Sequence, residues 1–368
     1  MAPVVLELKK HPEEIIPLVT VTAQHREMLD QVLSLFQITP DYDLDIMAEG
    51  QTLFDITSRA LMGLDKVFGA EKPDIVLVHG DTTTTFAGAL AAYYHQITVG
   101  HVEAGLRTWD KYSPFPEEMN RKLTGSIADL HFAPTDTSER NLLAESVTPE
   151  RIYVTGNTVI DALHHTVRPD FSFADDLLKK IDFAGKRIVL VTTHRRENLG
   201  EPMRHVYKAL KQLTEEFADV EVVFPVHRNP KVREVVNEEL GGLTKVHLID
   251  PLDYEPFANL MDKAHLILTD SGGVQEEAPA LGKPVLVLRD TTERPEAVSA
   301  GTVKLIGTDR ETVYEEAKLL LTDEQEYHRM AEACNPYGDG KAAKRIIEAI
   351  LYQYGLIDDP PAPFCPNV

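Results

Sequence analysis

Cysteine and long apolar runs are scarce in this sequence of 368 residues. Its two cysteines, Cys334 and Cys365, lie late in the chain, which argues against a disulfide framework and against a cysteine metal site. No apolar run approaches the roughly 18 residues that span a bilayer, and no signal peptide is recognisable. We therefore expect a cytoplasmic protein without a membrane segment, a disulfide or a bound metal.

Positive charge is scarce as well. The 37 basic residues face 59 acidic ones, so the formal net charge is −22. A field of this sign repels nucleic acid and anionic membranes, and neither is expected as a partner. An anionic ligand would have to be held by a local group of donors.

Four common motifs of nucleotide binding and catalysis are missing. The sequence has no G-x-G-x-x-G after a strand, no G-x-x-x-x-G-K-[ST], no H-E-x-x-H and no G-x-S-x-G. A tightly held dinucleotide, P-loop ATP hydrolysis, zinc proteolysis and serine hydrolysis therefore lose support. We expect no cofactor.

Short β-branched runs that alternate with helical patterns are what the sequence does contain. In chain order they are PLVTVTA, DIVLVHG, ITVGHVEAG, LHFAPT, RIYVTGN, RIVLVTTH, VEVVFPVH, VHLIDP, HLILTDSGG and KPVLVLRD. Strand, helix, strand in repetition predicts an α/β fold with parallel sheets covered on both faces.

The length and a polar segment before residue 187 predict two Rossmann-like lobes with a boundary near residue 170. The predicted ranges are 1–170 for the N-terminal lobe, 171–345 for the C-terminal lobe and 346–368 for a final helix and a loose tail. The final helix has an apolar side, formed by Ile346, Ile347, Ile350 and Leu351.

Acidic residues follow two of the predicted strands in the first half. Asp81 comes directly after DIVLVHG, and Glu103 comes directly after an apolar strand. In open α/β sheets, ligands bind beyond the carboxyl ends of the strands. Asp81 is also interpretable as a helix N-cap, and Glu103 as an ion-pair partner of an arginine. Glu117, after Pro116 in PFPEEMNR, has the form of ordinary helix-start chemistry.

Basic residues follow two strands in the second half. VTTHRREN supplies His194, Arg195 and Arg196, and FPVHRNP supplies His227 with Arg228. Together they would form a local anion-binding site in a protein whose overall negative charge repels anions. Arg294, in a later loop, is either part of this site or a surface arginine paired with Glu293 or Glu296.

The stretch DSGGVQEE marks a strand that stops at glycine and restarts as a helix. Ser271, Gly272 and Gly273 would offer backbone N–H groups and close approach to a pyrophosphate, and Glu277 would accept ribose hydroxyls. The alternative is an ordinary acidic first turn after a glycine turn.

Seven stretches taken together closely resemble the bacterial non-hydrolysing UDP-N-acetylglucosamine 2-epimerases. They are GDTTTT, GHVEAGLRT, SPFPEEMNR, TGNTVIDAL, HRRENLG, LTDSGGVQEEAP and RDTTERPE. The resemblance implies the glycosyltransferase-B architecture: two Rossmann-like lobes face a central cleft, and a C-terminal helix returns to the N-terminal lobe. It also implies a homodimer that interconverts UDP-N-acetylglucosamine and UDP-N-acetylmannosamine by elimination and re-addition of UDP, for surface polysaccharide synthesis.

The same resemblance implies roles for individual residues. The catalytic group would comprise Asp81, Glu103, Glu117 and His194. The substrate-binding group would comprise Phe257 near the uracil, Ser271, Gly272, Gly273, Glu277 and Arg294. A second, activating UDP-N-acetylglucosamine would lie near Gln24, Arg195 and His227.

One departure from the family concerns the N-terminus. The family begins with a strand and a Gly-Thr-Arg-Pro-Glu loop just before the stretch that starts here at Met1. We therefore expect an N-terminal sheet without its central strand, with ladder groups unpaired on both neighbours, and a natural protein that is longer. The first segment is predicted as a helix whose Val4, Val5 and Leu8 face a core.

Three alternatives to a non-hydrolysing epimerase stay open. A glycosyltransferase of the same architecture would bind the same nucleotide sugar and add an acceptor site. A hydrolysing epimerase would release free sugar. An inactive nucleotide-sugar binding protein is the third, because the family's N-terminal loop is missing.

Overall fold

The computed structural model describes residues 1–24, 26–195 and 198–366. They form two compact units, one of Met1–Ala162 with Gly338–Cys365 and the other built on Leu163–Tyr337. The domain ranges drawn from the sequence, with changes at 170 and 345, stay predictions.

The first unit alternates strands and helices. Its strands are β1 (Thr20–Val21), β2 (Tyr42–Asp43), β3 (Ile75–His79), β4 (Thr98–Val102), β5 (Leu130–Ala133) and β6 (Ile152–Val154). Its helices are α1 (Ala2–Leu8), α2 (Arg26–Leu35), α3 (Leu53–Glu71), α4 (Thr83–Tyr94), α5 (Glu117–Ile127) and α6 (Asp136–Ala144). Helix α7 (Thr158–Thr166) follows β6.

The strands of the first unit fall into two parallel sheets. One has the order β3-β4-β5-β6, and the other pairs β1 with β2. Among the described residues, β3 has one strand neighbour and is only partly buried, whereas β5 is buried throughout.

The last helix, α15 (Ala342–Gln353), packs on the sheet of the first unit. Ile346 and Ile347 are fully buried there beside Val102 and Phe132, and Val4 of α1 belongs to the same cluster. Burial of such side chains contributes about 1.5–3 kcal/mol each. The predicted return of the C-terminal helix to the N-terminal lobe is confirmed.

The second unit holds one six-stranded parallel sheet. Its strands are β7 (Arg187–Thr192), β8 (Val220–Pro225), β9 (Val246–Ile249), β10 (Leu266–Thr269), β11 (Val285–Val287) and β12 (Val303–Leu305). Its helices are α8 (Glu201–Glu216), α9 (Pro230–Leu240), α10 (Tyr254–Lys263), α11 (Gly272–Ala280), α12 (Pro295–Ala300), α13 (Arg310–Thr322) and α14 (Glu324–Ala331).

The strand order β12-β11-β10-β7-β8-β9 is the doubly wound Rossmann order. Alternate residues of β7 enter different cores. Val189 and Val191 pack with α8, α9 and α13, whereas Ile188 and Leu190 pack on the other face with α10 and α11. The predicted α/β class with parallel sheets covered on both faces is therefore confirmed.

No helix among the described residues is both long and apolar enough to cross a membrane.

Candidate active site

The first acidic turn follows β3. Gly80 has a φ of +69°, and Thr82 caps α4 by accepting a hydrogen bond from the Thr85 amide at 3.2 Å. The N-cap interpretation of Asp81 is therefore wrong, because the cap is the next residue. The Asp81 carboxylate is held by α5 instead.

Arg121 of α5 is the partner of Asp81. Its Nε and Nη2 donate to Asp81 Oδ2 at 3.0 and 2.7 Å, and Asn120 Nδ2 donates to the Asp81 carbonyl at 2.9 Å. Charge-assisted bonds of this kind are about twice as strong as neutral ones. Asp81 is thus fixed through both its side chain and its backbone.

Glu118 fixes Arg121 in turn. Only 3% of Glu118 is exposed, and its carboxylate accepts from the amides of Thr108 and Trp109 and from Arg121 Nη1, all at 3.0–3.1 Å. Burial alone would raise the pKa of Glu118, but these donors lower it below its ordinary value. Glu118 therefore joins the loop at Thr108 and Trp109 to helix α5, which also holds Asp81.

Glu103, after β4, lies beside the Asp81 turn. Its φ of +62° lies in the left-handed region, which costs energy for a residue with a side chain. Its Oε1 accepts from Asn157 Nδ2 at 3.2 Å, and Oε2 lies 3.8 Å from His79 Nε2. A Cβ at Gly80 would stand 3.1 Å from that Oε2, so glycine permits the close approach.

Glu117 is the first residue of α5, with Pro116 at the N-cap rather than at the first helical position. Its Oε2 atom is buried and has no hydrogen-bond partner among the described residues. A buried carboxylate oxygen left without a donor is costly, so a ligand hydroxyl would satisfy it.

The switch point of the second sheet lies between β7 and β10. His194 follows β7, and the Ser271–Gly273 turn follows β10. Ligands of doubly wound sheets bind at this position, beyond the carboxyl ends of the two strands. The sheet order therefore brings together two stretches that the sequence singled out separately.

The N-terminus of α11 has room for an anion. The Ser271 amide already donates to Thr269 Oγ1 at 2.9 Å, and the Ser271 side chain caps no amide in the described chain. Of the atoms that the structure describes, a Cβ at Gly272 would meet none within 4 Å, and one at Gly273 would meet only Glu277 Oε2, at 3.9 Å. The first-turn amides that suit a phosphate are thus those beyond Ser271.

Glu276 and Glu277 of α11 have different surroundings. Glu276 pairs with Arg294 Nε, and Arg294 Nη1 donates to the Glu293 carbonyl at 3.3 Å. Burial raises the pKa of Glu277 to about 7, the nearby Tyr254 hydroxyl opposes this, and the Glu276 charge adds to it. Glu277 Oε1 is buried without a hydrogen-bond partner among the described residues.

The basic group contains a pair of stacked histidines. The rings of His194 and His227 lie 5.8 Å apart at 21°, and His194 Nδ1 lies 3.0 Å from Asp270 Oδ1. Arg195 Nη1 lies 3.6 Å from Glu293 Oε1. The predicted Arg196 lies outside the described residues.

Phe257 and Gln24 are two further residues that the sequence singled out. Phe257 of α10 is partly buried against the core of the second unit. Gln24 follows β1 in the first unit, where its Oε1 accepts from Thr84 Oγ1 at 3.3 Å.

Comparison with known proteins assigns the family. Residues 6–351 match the family described as UDP-N-acetylglucosamine 2-epimerase. The chain belongs to this family. A protein of that name from Bacillus subtilis strain 168 is 62% identical over 365 residues, which cover 99% of this chain and 94% of the relative.

Solved structures agree. A crystal structure of a UDP-N-acetylglucosamine 2-epimerase, 59% identical, superposes with a TM-score of 0.93 over 99% of this chain and 95% of the other. The enzyme from Neisseria meningitidis bound to UDP-GlcNAc is 50% identical, with a TM-score of 0.80 and 96% of each chain covered.

Sequence reasoning missed the residues that hold the acids and the histidine in place. Arg121 and Glu118 are spaced i, i+3 in PEEMNR, which signals a helix pair but not a contact with Asp81. Asp270 opens the DSGG stretch, and its position directly after a strand is the signal that could have identified it.

Proposed function

We propose that this chain interconverts UDP-N-acetylglucosamine and UDP-N-acetylmannosamine by eliminating UDP and adding it back. The observation that carries the proposal is the pair of adjacent turns after β3 and β4. Asp81 follows β3 and Glu103 follows β4, and these strands pair in parallel, so both residues leave the carboxyl edge of one sheet. The family membership names the nucleotide sugar on which such acids would act.

The chemistry requires that a leaving group depart before a weak carbon acid ionises. The hydrogen at carbon 2 has no adjacent carbonyl, so a carboxylate cannot remove it directly. As the bond from carbon 1 to the UDP oxygen breaks, UDP takes the electron pair and positive charge develops at carbon 1. The hydrogen at carbon 2 then becomes acidic, a base removes it, and a double bond forms between carbons 1 and 2.

Departure of UDP requires donors for the charge that develops on its diphosphate. The amides at the start of α11 and the Arg294 guanidinium are the proposed donors, because preorganised N–H groups stabilise developing negative charge. Glu277 would accept hydrogen bonds from the ribose hydroxyls, and Phe257 would lie near the uracil. The unpartnered Glu277 oxygen and the open space at Gly272 support this placement.

Return to product needs a proton on the opposite face of carbon 2, followed by addition of UDP at carbon 1. Two faces need two acid/base groups, which accounts for several carboxylates in one site. Asp81, Glu103 and Glu117 are the proposed groups on the sugar, with His194 as a further base. The product, UDP-N-acetylmannosamine, would supply surface polysaccharide synthesis.

Regulation and assembly are parts of the same proposal. Gln24, Arg195 and His227 would contact a second UDP-N-acetylglucosamine that activates the enzyme, and the chain would act as a homodimer. The stacking of His227 on His194 supports a link between the two ligands. Sigmoidal dependence of rate on substrate concentration and sedimentation at twice the chain mass are the expected results.

The test is incubation with UDP-N-acetylglucosamine alone, followed by NMR of the products. We expect UDP-N-acetylmannosamine to appear until the two epimers reach equilibrium, without free UDP. Free N-acetylmannosamine with UDP would indicate a hydrolysing enzyme. Unchanged substrate would indicate a transferase that lacks its acceptor, or a binding protein.

Asp81→Asn supplies the matched variant. It keeps the size of the side chain and removes the acid, so turnover should fall by about 100-fold or more. Asp136→Asn, at the exposed start of α6, should leave turnover unchanged. Equal turnover of Asp81→Asn and the parent protein would refute the role of Asp81.

A further inference from the structure

Asp270 is a completely buried carboxylate at the end of β10, and its exposed fraction is 0%. A buried anion is costly unless donors surround it. Burial raises its pKa, but the adjacent His194 side chain and hydrogen bonds from the amides of Arg195 and His194 lower it below the ordinary value. Asp270 is thus held as the anion.

The two carboxylate oxygens have different partners. Oδ2 accepts from the amides of His194 and Arg195, both at 2.9 Å, and lies 3.4 Å from Asn198 Nδ2. Oδ1 lies 3.0 Å from His194 Nδ1, although their alignment misses strict hydrogen-bond angles. No other partner of Oδ1 occurs in the described part of the chain, and such pairs commonly tighten when a ligand binds.

An ionised carboxylate can only accept hydrogen bonds. A neutral His194 that faces it must therefore carry its proton on Nδ1, which leaves the lone pair on Nε2. The His194 side chain is 41% exposed while Asp270 is fully buried. The carboxylate is therefore shielded from solvent, and the imidazole is accessible. When Nε2 takes a proton, the carboxylate stabilises the imidazolium.

Among the described residues, two other charged or titratable groups near His194 have partners of their own. His227 stacks on His194, but its Nδ1 accepts from the Asn229 amide. The Arg195 side chain donates to the Asp270 carbonyl through Nε at 3.2 Å, and its Nη1 lies 3.6 Å from Glu293.

We propose that Asp270 is the positioning residue that fixes the tautomer and orientation of His194. The inference rests on the proposed function, in which the unprotonated Nε2 of His194 acts as a base on the sugar. Asp270 also directly precedes Ser271, so one residue ties the base to the turn that would hold the leaving diphosphate. Movement of the end of β7 or of β10 would therefore disturb both His194 and this turn.

Asp270→Asn separates this role from a purely structural one. The amide oxygen of asparagine can still accept from the amides of His194 and Arg195 and so keep the loop closed. Its NH2 group would then face His194 Nδ1 and favour the tautomer with the proton on Nε2. We expect kcat to fall by about 100- to 10,000-fold, with the dissociation constant for UDP within about threefold of the parent value.

A double-mutant cycle with His194→Gln decides how Asp270 acts. If it acts through His194, Asp270→Asn should cause no further loss in the His194→Gln background. Equal losses in both backgrounds, or a folded Asp270→Asn protein with parent kcat, would overturn the proposal. Asp309→Asn, at the exposed N-cap of α13, is the control and should leave kcat unchanged.

Nitrogen NMR of His194 in the unmodified protein needs neither turnover nor a folded variant. At a pH where the ring is neutral, we expect a protonated Nδ1 and an unprotonated Nε2. A proton on Nε2 instead would overturn the inference. A protein that shows the expected tautomer but makes no UDP-N-acetylmannosamine would refute the proposed function and leave the positioning role intact.

Discussion

Arg121 donates two hydrogen bonds to a single oxygen of Asp81, across 40 residues of sequence. The same guanidinium reaches the buried Glu118 through Nη1, at 3.0 Å. The orientation of the proposed catalytic acid therefore depends on an ion-pair chain that runs from the loop at Thr108 through α5.

Replacement of this arginine should slow catalysis. Arg121→Gln removes the charge and the paired donors, so Asp81 loses its fixed geometry. We expect kcat to fall by about 10- to 100-fold, the effect of a misplacement near 1 Å. Steady-state kinetics checks this, with the exposed Arg140→Gln as control. A kcat within twofold of the parent would show that Asp81 needs no such support.

Gly272 should matter for the ligand and not for the fold. It is the first residue of α11, and a Cβ there meets no atom of the described residues within 4 Å. Gly272→Ala should unfold at the parent temperature or above, yet weaken UDP binding by about tenfold because the methyl group occupies the diphosphate position.

Calorimetric titration with UDP and thermal unfolding measure the two effects of Gly272→Ala. Gly69→Ala on α3 is the control, since the one described side chain that a Cβ there would meet is His95, at 3.8 Å. Parent affinity in a folded Gly272→Ala protein would place the diphosphate elsewhere.

Glu277 should make the protein less stable as the pH rises. Its folded pKa of about 7 exceeds the ordinary 4.5, so the folded state binds the proton more tightly than the unfolded state. The stabilisation by protonation is complete below pH 4.5 and is lost as the pH rises through 7, a change on the order of 3 kcal/mol.

Glu277→Gln should remove this dependence. Urea unfolding at pH 8 should show a variant more stable than the parent protein, with little difference at pH 4.5. Glu315→Gln, on the exposed side of α13, should change neither value. A variant less stable than the parent protein at pH 8 would contradict the raised pKa of Glu277 in the folded protein.

Two buried histidines of the first sheet should destabilise the protein in acid. Burial lowers the pKa of His101 to about 3 and of His131 to about 4, below the ordinary 6.5. Between those values the unfolded state binds more protons, so stability falls as the pH drops below 6.5. The slope contributed is up to about 1.4 kcal/mol per pH unit for each histidine.

His101→Gln tests this slope, since glutamine can still donate to the Gly80 carbonyl that His101 Nε2 contacts at 2.8 Å. Denaturant unfolding between pH 6.5 and 4.5 should show that the free energy of unfolding falls less steeply with decreasing pH in the variant than in the parent protein. His328→Gln, on an exposed helix face, should keep the parent slope. An unchanged slope in His101→Gln would mean that this histidine is protonated in the folded state.

Much of the fold was predictable because strong local patterns carry it. The spacing of Ile346, Ile347 and Ile350 predicts the buried face of α15, and all three are buried. By contrast, β2 and β12 are two and three residues long, which gives too little alternation to predict a strand.

The site was predictable only in part. Strand ends located Asp81 and Glu103, since parallel strands end at one edge of a sheet. The Arg121–Asp81 pair and the contacts of His194 with Asp270 join residues 40 and about 76 apart, and no local pattern encodes such partners. The left-handed φ of Glu103 could not be predicted either, because a residue with a side chain rarely adopts it and no glycine marks the position.

The fate of the hydrogen at carbon 2 tests the central claim most directly. Incubation of UDP-N-acetylglucosamine with the protein in heavy water should give UDP-N-acetylmannosamine that carries deuterium at carbon 2 from the first turnover. This follows because one group removes the hydrogen from one face and another, exchanged with solvent, protonates the opposite face. UDP-N-acetylmannosamine that retains its original hydrogen would contradict the mechanism.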